Sequence, residues 1–127
     1  MAESYPPELR YHQEHDWARV DGDTATFGIT DFAQDALGEV VFFDAPTVGS
    51  TISAGESYAE VESVKAVSDV IAPLSGEIIE VNEGLGDKPE SINTDPYGEG
   101  WMVKVRLSDP SETESLLDAA TYTSQLD

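Results

Sequence analysis

Three lysines stand in a chain of 127 residues: Lys65, Lys88 and Lys104. An amine is a nucleophile or an attachment point only where it is presented to a partner, so their settings decide between them. Lys104 lies on the alternating segment Trp101 to Leu107, where Trp101, Val103, Val105 and Leu107 read as inward and Lys104 and Arg106 as solvated. Lys88 falls in Gly86-Asp87-Lys88-Pro89, an ordinary loop. Lys65 sits between two strand patterns, Ser57 to Ser63 and Ala66 to Ala72, with Val64 and Ala66 beside it. A hairpin tip is the best presented point of a β-domain. Gly, Asn, Asp and Pro, the usual turn formers, are missing from this tip. A lysine there, in a chain nearly purged of lysine, points to covalent attachment through its amine.

The remaining chemistry is acidic. Twenty-six Asp and Glu against six Lys and Arg give a net charge of −20. Such a surface repels phosphate backbones and anionic membranes, which argues against nucleic-acid and lipid-surface binding. The acids are dispersed rather than blocked, and regular apolar spacing argues against disorder. We read the charge first as halophilic adaptation, since repulsion among carboxylates is screened at high salt, and second as a device for binding a partner. With no cysteine, disulfides, thiolate metal sites and cysteine nucleophiles are excluded. His12, Glu14 and His15 are too few and too irregularly placed for a metal site. Gly84-x-Gly86 is a turn element, because no P-loop lysine or serine pattern follows it. Trp17 and Trp101 read as core.

These residues must be held by a frame of short strands. Trp17 to Val20 and Thr24 to Ile29 flank an Asp21-Gly22 hairpin turn. Thr30 caps a helix over Asp31 to Leu37 that Gly38 stops. Glu39 to Ala45, Thr51 to Ser53, and Glu77 to Val81 read as further strands, and Asn82 to Gly100 as loop with one helical turn near Glu90. Ser108-Asp109-Pro110 starts a C-terminal helix over about 109–126, with Leu116, Leu117 and Ala120 as its apolar stripe. A faint repeat, Ser53-Ala54-Gly55-Glu56 and Leu74-Ser75-Gly76-Glu77, suits two related halves around Lys65. The result is one mainly β domain over 1–127, a small β-sandwich or flattened barrel with peripheral helices. No run is apolar enough to span a membrane. The N-terminus has neither basic nor apolar leader character, so a cytoplasmic location is expected.

The segment Val61-Glu62-Ser63-Val64-Lys65-Ala66-Val67-Ser68-Asp69-Val70-Ile71-Ala72-Pro73-Leu74-Ser75-Gly76 resembles the lipoyl-lysine hairpin of the glycine cleavage H-protein family. Gly28 to Val40 resembles the family's helix-bearing segment, His15-Asp16-Trp17 its N-terminal His-acid-Trp, and Asn82 through Trp101-Met102 its loop and final strand. The likeness runs over roughly residues 9 to 118, in order. It implies a lipoyl-domain-like barrel-sandwich hybrid with a short internal helix and a C-terminal helix. It also implies (R)-lipoate joined by an amide to Lys65, taking the formal charge from −20 to −21.

By that resemblance the protein is a carrier and not a catalyst. Its arm would take an aminomethyl group from the glycine decarboxylase (P protein) and give it to the aminomethyltransferase (T protein). The dihydrolipoamide dehydrogenase (L protein) would reoxidise it, and a lipoate ligase or lipoyl synthase system would install it. Glu62 and Gly76 correspond to positions that serve recognition during lipoylation. Glu14, Asp16 and Asp69 correspond to positions beside the docked aminomethyl amine. Two departures stand out: Asp16 is shorter than the usual glutamate, and Ala36 stands where the family often has histidine. An H-like protein relaying lipoate to 2-oxoacid dehydrogenases is the alternative. A biotin carrier fits worse, since its tip usually reads Met-Lys-Met, and the length of the resemblance argues against a purely structural β-domain.

Overall fold

The computed structural model describes residues 5–126. Nine strands form two antiparallel sheets. The larger contains β1 (Arg10–His12), β2 (Asp16–Asp21), β3 (Thr24–Ile29), β5 (Thr51–Ile52), β8 (Gly76–Val81) and β9 (Val103–Leu107), in the order β1-β2-β3-β9-β8-β5. The smaller contains β4 (Val40–Asp44), β6 (Ser57–Ser63) and β7 (Val67–Ile71), in the order β4-β6-β7. Alternation explains the layering. Phe27, Ile78, Val103 and Val105 from one sheet meet Val40, Phe43, Val61 and Val70 from the other in a shared buried core. The expected flattened sandwich is what the chain forms.

Helix α1 (Asp31–Leu37) has the bounds its sequence predicts. Thr30 Oγ1 accepts from the Ala33 amide at 3.3 Å, and Gly38 ends the helix with φ of 86°. The loop after β8 is more ordered than its composition suggests, holding α2 (Gly84–Asp87) and α3 (Ser91–Thr94) where one turn was expected. Strand β1 also goes beyond the sequence reading, being only three residues long with no alternation to reveal it.

The C-terminal helix over 109–126 is corrected. Residues Pro110–Ser115 form a 3-10 helix, Leu116 is extended, and a separate helix α4 spans Ala119–Ser124. The break has a cause in pairing: Leu117 exchanges two 2.8 Å backbone hydrogen bonds with Tyr11 of β1, which a continuous helix could not offer. Asp118 then caps α4, accepting from the Thr121 amide at 2.8 Å. Leu9, Tyr11, Trp17 and Tyr122 make a second buried cluster that fastens the C-terminal segment to β1 and β2.

Candidate functional site

Residues 64–69 are all exposed, so the β6–β7 hairpin projects its tip beyond the core. The tip is nonetheless held. Ser63 Oγ accepts from the Lys65 amide at 3.2 Å and the Ala66 amide at 3.1 Å, while the Ser63 amide donates to the Ala66 carbonyl at 2.8 Å. The absence of Gly, Asn, Asp or Pro is thereby explained: Ser63, at the first turn position, does that work. The Val64 amide donates to the Glu39 carbonyl at 3.0 Å, tying the tip to the start of β4. Lys65 runs over Gly38, where an added Cβ would stand 3.3 Å from Lys65 Cε.

The support behind that contact was not evident from sequence. Asn93 of α3 accepts from the Val40 amide at 2.8 Å and donates to the Gly38 carbonyl and to Gln34 Oε1, at 2.8 and 3.0 Å. It joins the end of α1 to β4, whose Val40 pairs with Ser63 at the base of the tip. An asparagine in a polar loop gives no sequence signal of such a role.

Beside the tip, a cleft of about 620 Å³ opens between α1, β7 and the β1–β2 loop. Glu14, Asp16 and Asp69 all line it, against an apolar wall that includes Ile29, Phe32, Leu37 and Val70. Asp69 of β7, far along the chain, is therefore brought to the neighbours Glu14 and Asp16. Ala36 lines the same cleft, so no imidazole enters it from that position. Glu62 lies outside the cleft, exposed on β6 opposite Val67. Gly76 is buried in the other sheet, paired with Leu107, where a Cβ would collide with the Arg106 carbonyl oxygen. That close approach of β8 to β9 gives Gly76 a packing reason to be glycine.

Asp16 is the unusual member of the acidic trio. It is 1% exposed and its Oδ2 has no hydrogen-bond partner. Burial drives its pKa well above the ordinary 3.8, the nearby Glu14 carboxylate adds to the rise, and the Ile71 backbone offsets part of it. A buried, under-partnered carboxyl facing a cleft is an acceptor waiting for a donor.

The loop that delivers these residues is strained. Gln13, Glu14 and His15 join β1 to β2, with His12 paired to Asp16 and the His15 amide bonded to the His12 carbonyl at 2.9 Å. His15 takes φ of 75°. A three-residue hairpin loop ends in that left-handed conformation, which glycine usually fills and which costs another residue about 1–2 kcal/mol. His12 Nδ1 accepts from the Glu14 amide at 3.0 Å, and His15 Nδ1 bonds the Tyr122 hydroxyl at 2.7 Å. Both Nδ1 atoms are thus engaged, that of His12 within the loop and that of His15 with α4, and among the described residues no group of three or more His, Asp or Glu could hold a metal ion. Trp17 is fully buried over Gly28, whereas Trp101 is only half-buried beneath Lys104.

Comparison with known proteins agrees with this arrangement. A family model described as glycine cleavage H-protein matches residues 9–127. The chain belongs to the glycine cleavage H-protein family. It is 53% identical over 119 residues to a glycine cleavage system H protein of Bacteroides thetaiotaomicron, covering 94% of each chain. Against the Escherichia coli protein of the same name, identity is 54% over 123 residues, covering 96% of this chain and 95% of that one. A crystal structure of the H protein from Mycobacterium marinum superposes with a TM-score of 0.85 at 44% identity, covering 95% of this chain and 98% of that one.

Proposed function

We propose that residues 1–127 form one lipoyl-carrier domain of the glycine cleavage system, with lipoate attached through an amide to Lys65. The observation that carries this is the pairing of a presented amine with an adjacent cleft: Lys65 stands on a braced, exposed tip, and the cleft beside it is apolar along its wall and acidic at Glu14, Asp16 and Asp69. That donor set fits a hydrocarbon arm ending in a cationic amine. When attached, lipoate supplies the dithiol that takes up and releases the aminomethyl group. The chain itself presents, shelters and releases.

Ser63 and the Val64–Glu39 hydrogen bond hold the attachment point where a lipoate ligase or lipoyl synthase system reaches it, with Glu62 exposed three residues away as a recognition contact. Gly76 supports lipoylation through the β8–β9 packing that sets the frame. Asp16, Asp69 and Glu14 accept hydrogen bonds from the docked amine, which is favourable because charge-assisted bonds strengthen where water is thinned. The apolar wall keeps water from the cargo. The chain acts as a carrier, served in turn by the P, T and L proteins, a reading supported by its membership of the H-protein family. The names of the relatives favour this reading over a lipoate relay. Its proposed place of work is the cytoplasm; among the described residues no helix is long and apolar enough to cross a membrane.

Lys65→Arg tests the attachment point. The variant should fold like the parent, since the side chain is exposed, and should gain no lipoyl mass when co-expressed with a lipoate ligase. Lys88→Arg and Lys104→Arg should gain it in full. Lipoylation of the Lys65 variant on another lysine overturns the assignment.

A further inference from the structure

The C-terminal helix reaches the cleft through one hydroxyl. Tyr122 Oη lies 2.7 Å from His15 Nδ1 and 2.9 Å from Thr30 Oγ1. Thr30 is 0% exposed, and its oxygen already accepts from the Ala33 amide at 3.3 Å. Its own proton needs an acceptor, and the Tyr122 oxygen is the one beside it. Tyr122 must then give its proton to His15 Nδ1, leaving the imidazole proton on Nε2. The direction of the whole chain follows: Thr30 to Tyr122 to His15. The reverse direction would strand a buried hydroxyl proton.

Three further contacts make His15 a joint between elements. Its carbonyl accepts from the Thr30 amide at 3.0 Å, its ring packs on Phe32 of α1 at 4.5 Å, and its residue lies between Glu14 and Asp16 in the cleft lining. Its left-handed backbone needs an outside hold, and the hydroxyl of Tyr122 supplies one. Tyr122 is itself anchored, stacked on Tyr11 with ring centroids 4.9 Å apart.

We propose that His15 is a positioning residue of the cleft, fixed by the Thr30–Tyr122–His15 chain as the Nε2–H tautomer, and that this chain holds the loop that carries Glu14 and Asp16 to the arm's amine. The proposal rests on the carrier reading above for its functional half and on geometry for its structural half. Among titratable groups, Glu14 acts on the imidazole from its own loop and Tyr122 bonds it from α4, Asp16 and Asp69 share the cleft lining with it, and α1 offers the neutral Phe32 ring. Protonating Nδ1 would force the Tyr122 oxygen to accept twice and strand its proton. The chain therefore acts with burial, which already lowers the His15 pKa, and against Glu14, which raises it.

Tyr122→Phe keeps the stacked ring and removes the hydroxyl; Tyr11→Phe removes a hydroxyl from the same stack that bonds the Pro6 carbonyl instead. In protein without lipoate, ¹⁵N–¹H spectra of the histidine rings should show His15 as Nε2–H in the parent and in Tyr11→Phe. In Tyr122→Phe its titration midpoint should rise by about half a unit or more. On lipoylated, loaded protein, Tyr122→Phe should release its cargo roughly three to ten times faster than the parent, with Tyr11→Phe unchanged. An Nδ1–H tautomer in the parent, an unmoved midpoint, an equal effect of Tyr11→Phe, or an unchanged release rate would each overturn the proposal. If the parent takes no lipoate at Lys65, the carrier reading fails instead, and the titration still decides the chain.

Discussion

Replacing Asp16 by Asn should make the protein more stable and a worse carrier. The carboxyl is 1% exposed with an unpartnered Oδ2, and its folded pKa lies well above 3.8. A carboxyl raised in this way binds its proton more tightly folded than unfolded. Its contribution to stability is therefore complete below the unfolded midpoint and is lost as pH rises through the folded one. Between those midpoints each pH unit removes about 1.4 kcal/mol. Asn, near in shape and without charge, escapes that loss. Urea unfolding of parent and variant from about pH 4 to 8 should show a stability gap near zero at the acid end that widens with pH and then levels. At neutral pH the variant should be the more stable of the two. On lipoylated, loaded protein the same variant should release cargo several-fold faster, since a charge-assisted bond contributes roughly 1.5–3 kcal/mol. Exposed Glu83→Gln serves as the control. A gap that stays flat with pH, or a variant that loses stability as pH rises, refutes the buried-carboxyl reasoning. Equal release from all three proteins refutes its role toward the amine.

Gly76→Ala should cost about 1–3 kcal/mol in thermal unfolding, because the new Cβ meets the Arg106 carbonyl and Val105; slowed lipoylation at unchanged stability would instead make Gly76 a recognition element. Ser63→Ala should lose about 1–2 kcal/mol in urea unfolding and slow lipoate attachment, measured by intact mass, since two tip amides lose their acceptor. Raising KCl from dilute buffer to about 1 M should raise the melting temperature substantially, because a net charge of −20 repels itself; a flat response would show that dispersal of the acids suffices.

What could be read in advance follows the range of the forces involved. Helix α1 was legible because its cap and stop are local, as was β9, whose alternation survives as buried Val103, Val105 and Leu107. The exposed hairpin-tip position of Lys65 was legible because strand patterns flank it on both sides. The break at Leu116 was not, since its cause lies at Tyr11, over a hundred residues away. Asn93 and Tyr122 share that character: each acts through side-chain polar atoms whose partners are placed by tertiary packing. The acids Glu14, Asp16 and Asp69 came from resemblance, and the cleft supplies the physical ground for grouping them. Burial of Asp16 had no sequence signal, since aspartate at a strand start reads as solvated.

The bonds that brace the tip involve main-chain amides and carbonyls and the neutral Ser63 hydroxyl, with Gly38 as the surface beneath Lys65. Among the described residues the ion pairs join Lys104 to Glu80 and Arg106 to Glu77, far along other strands. The pedestal thus has no means of registering whether the amine it displays is charged or acylated. Under the proposed carrier role it offers one address whatever is written on the label, and successive enzymes would have to tell empty from laden by reading the arm itself.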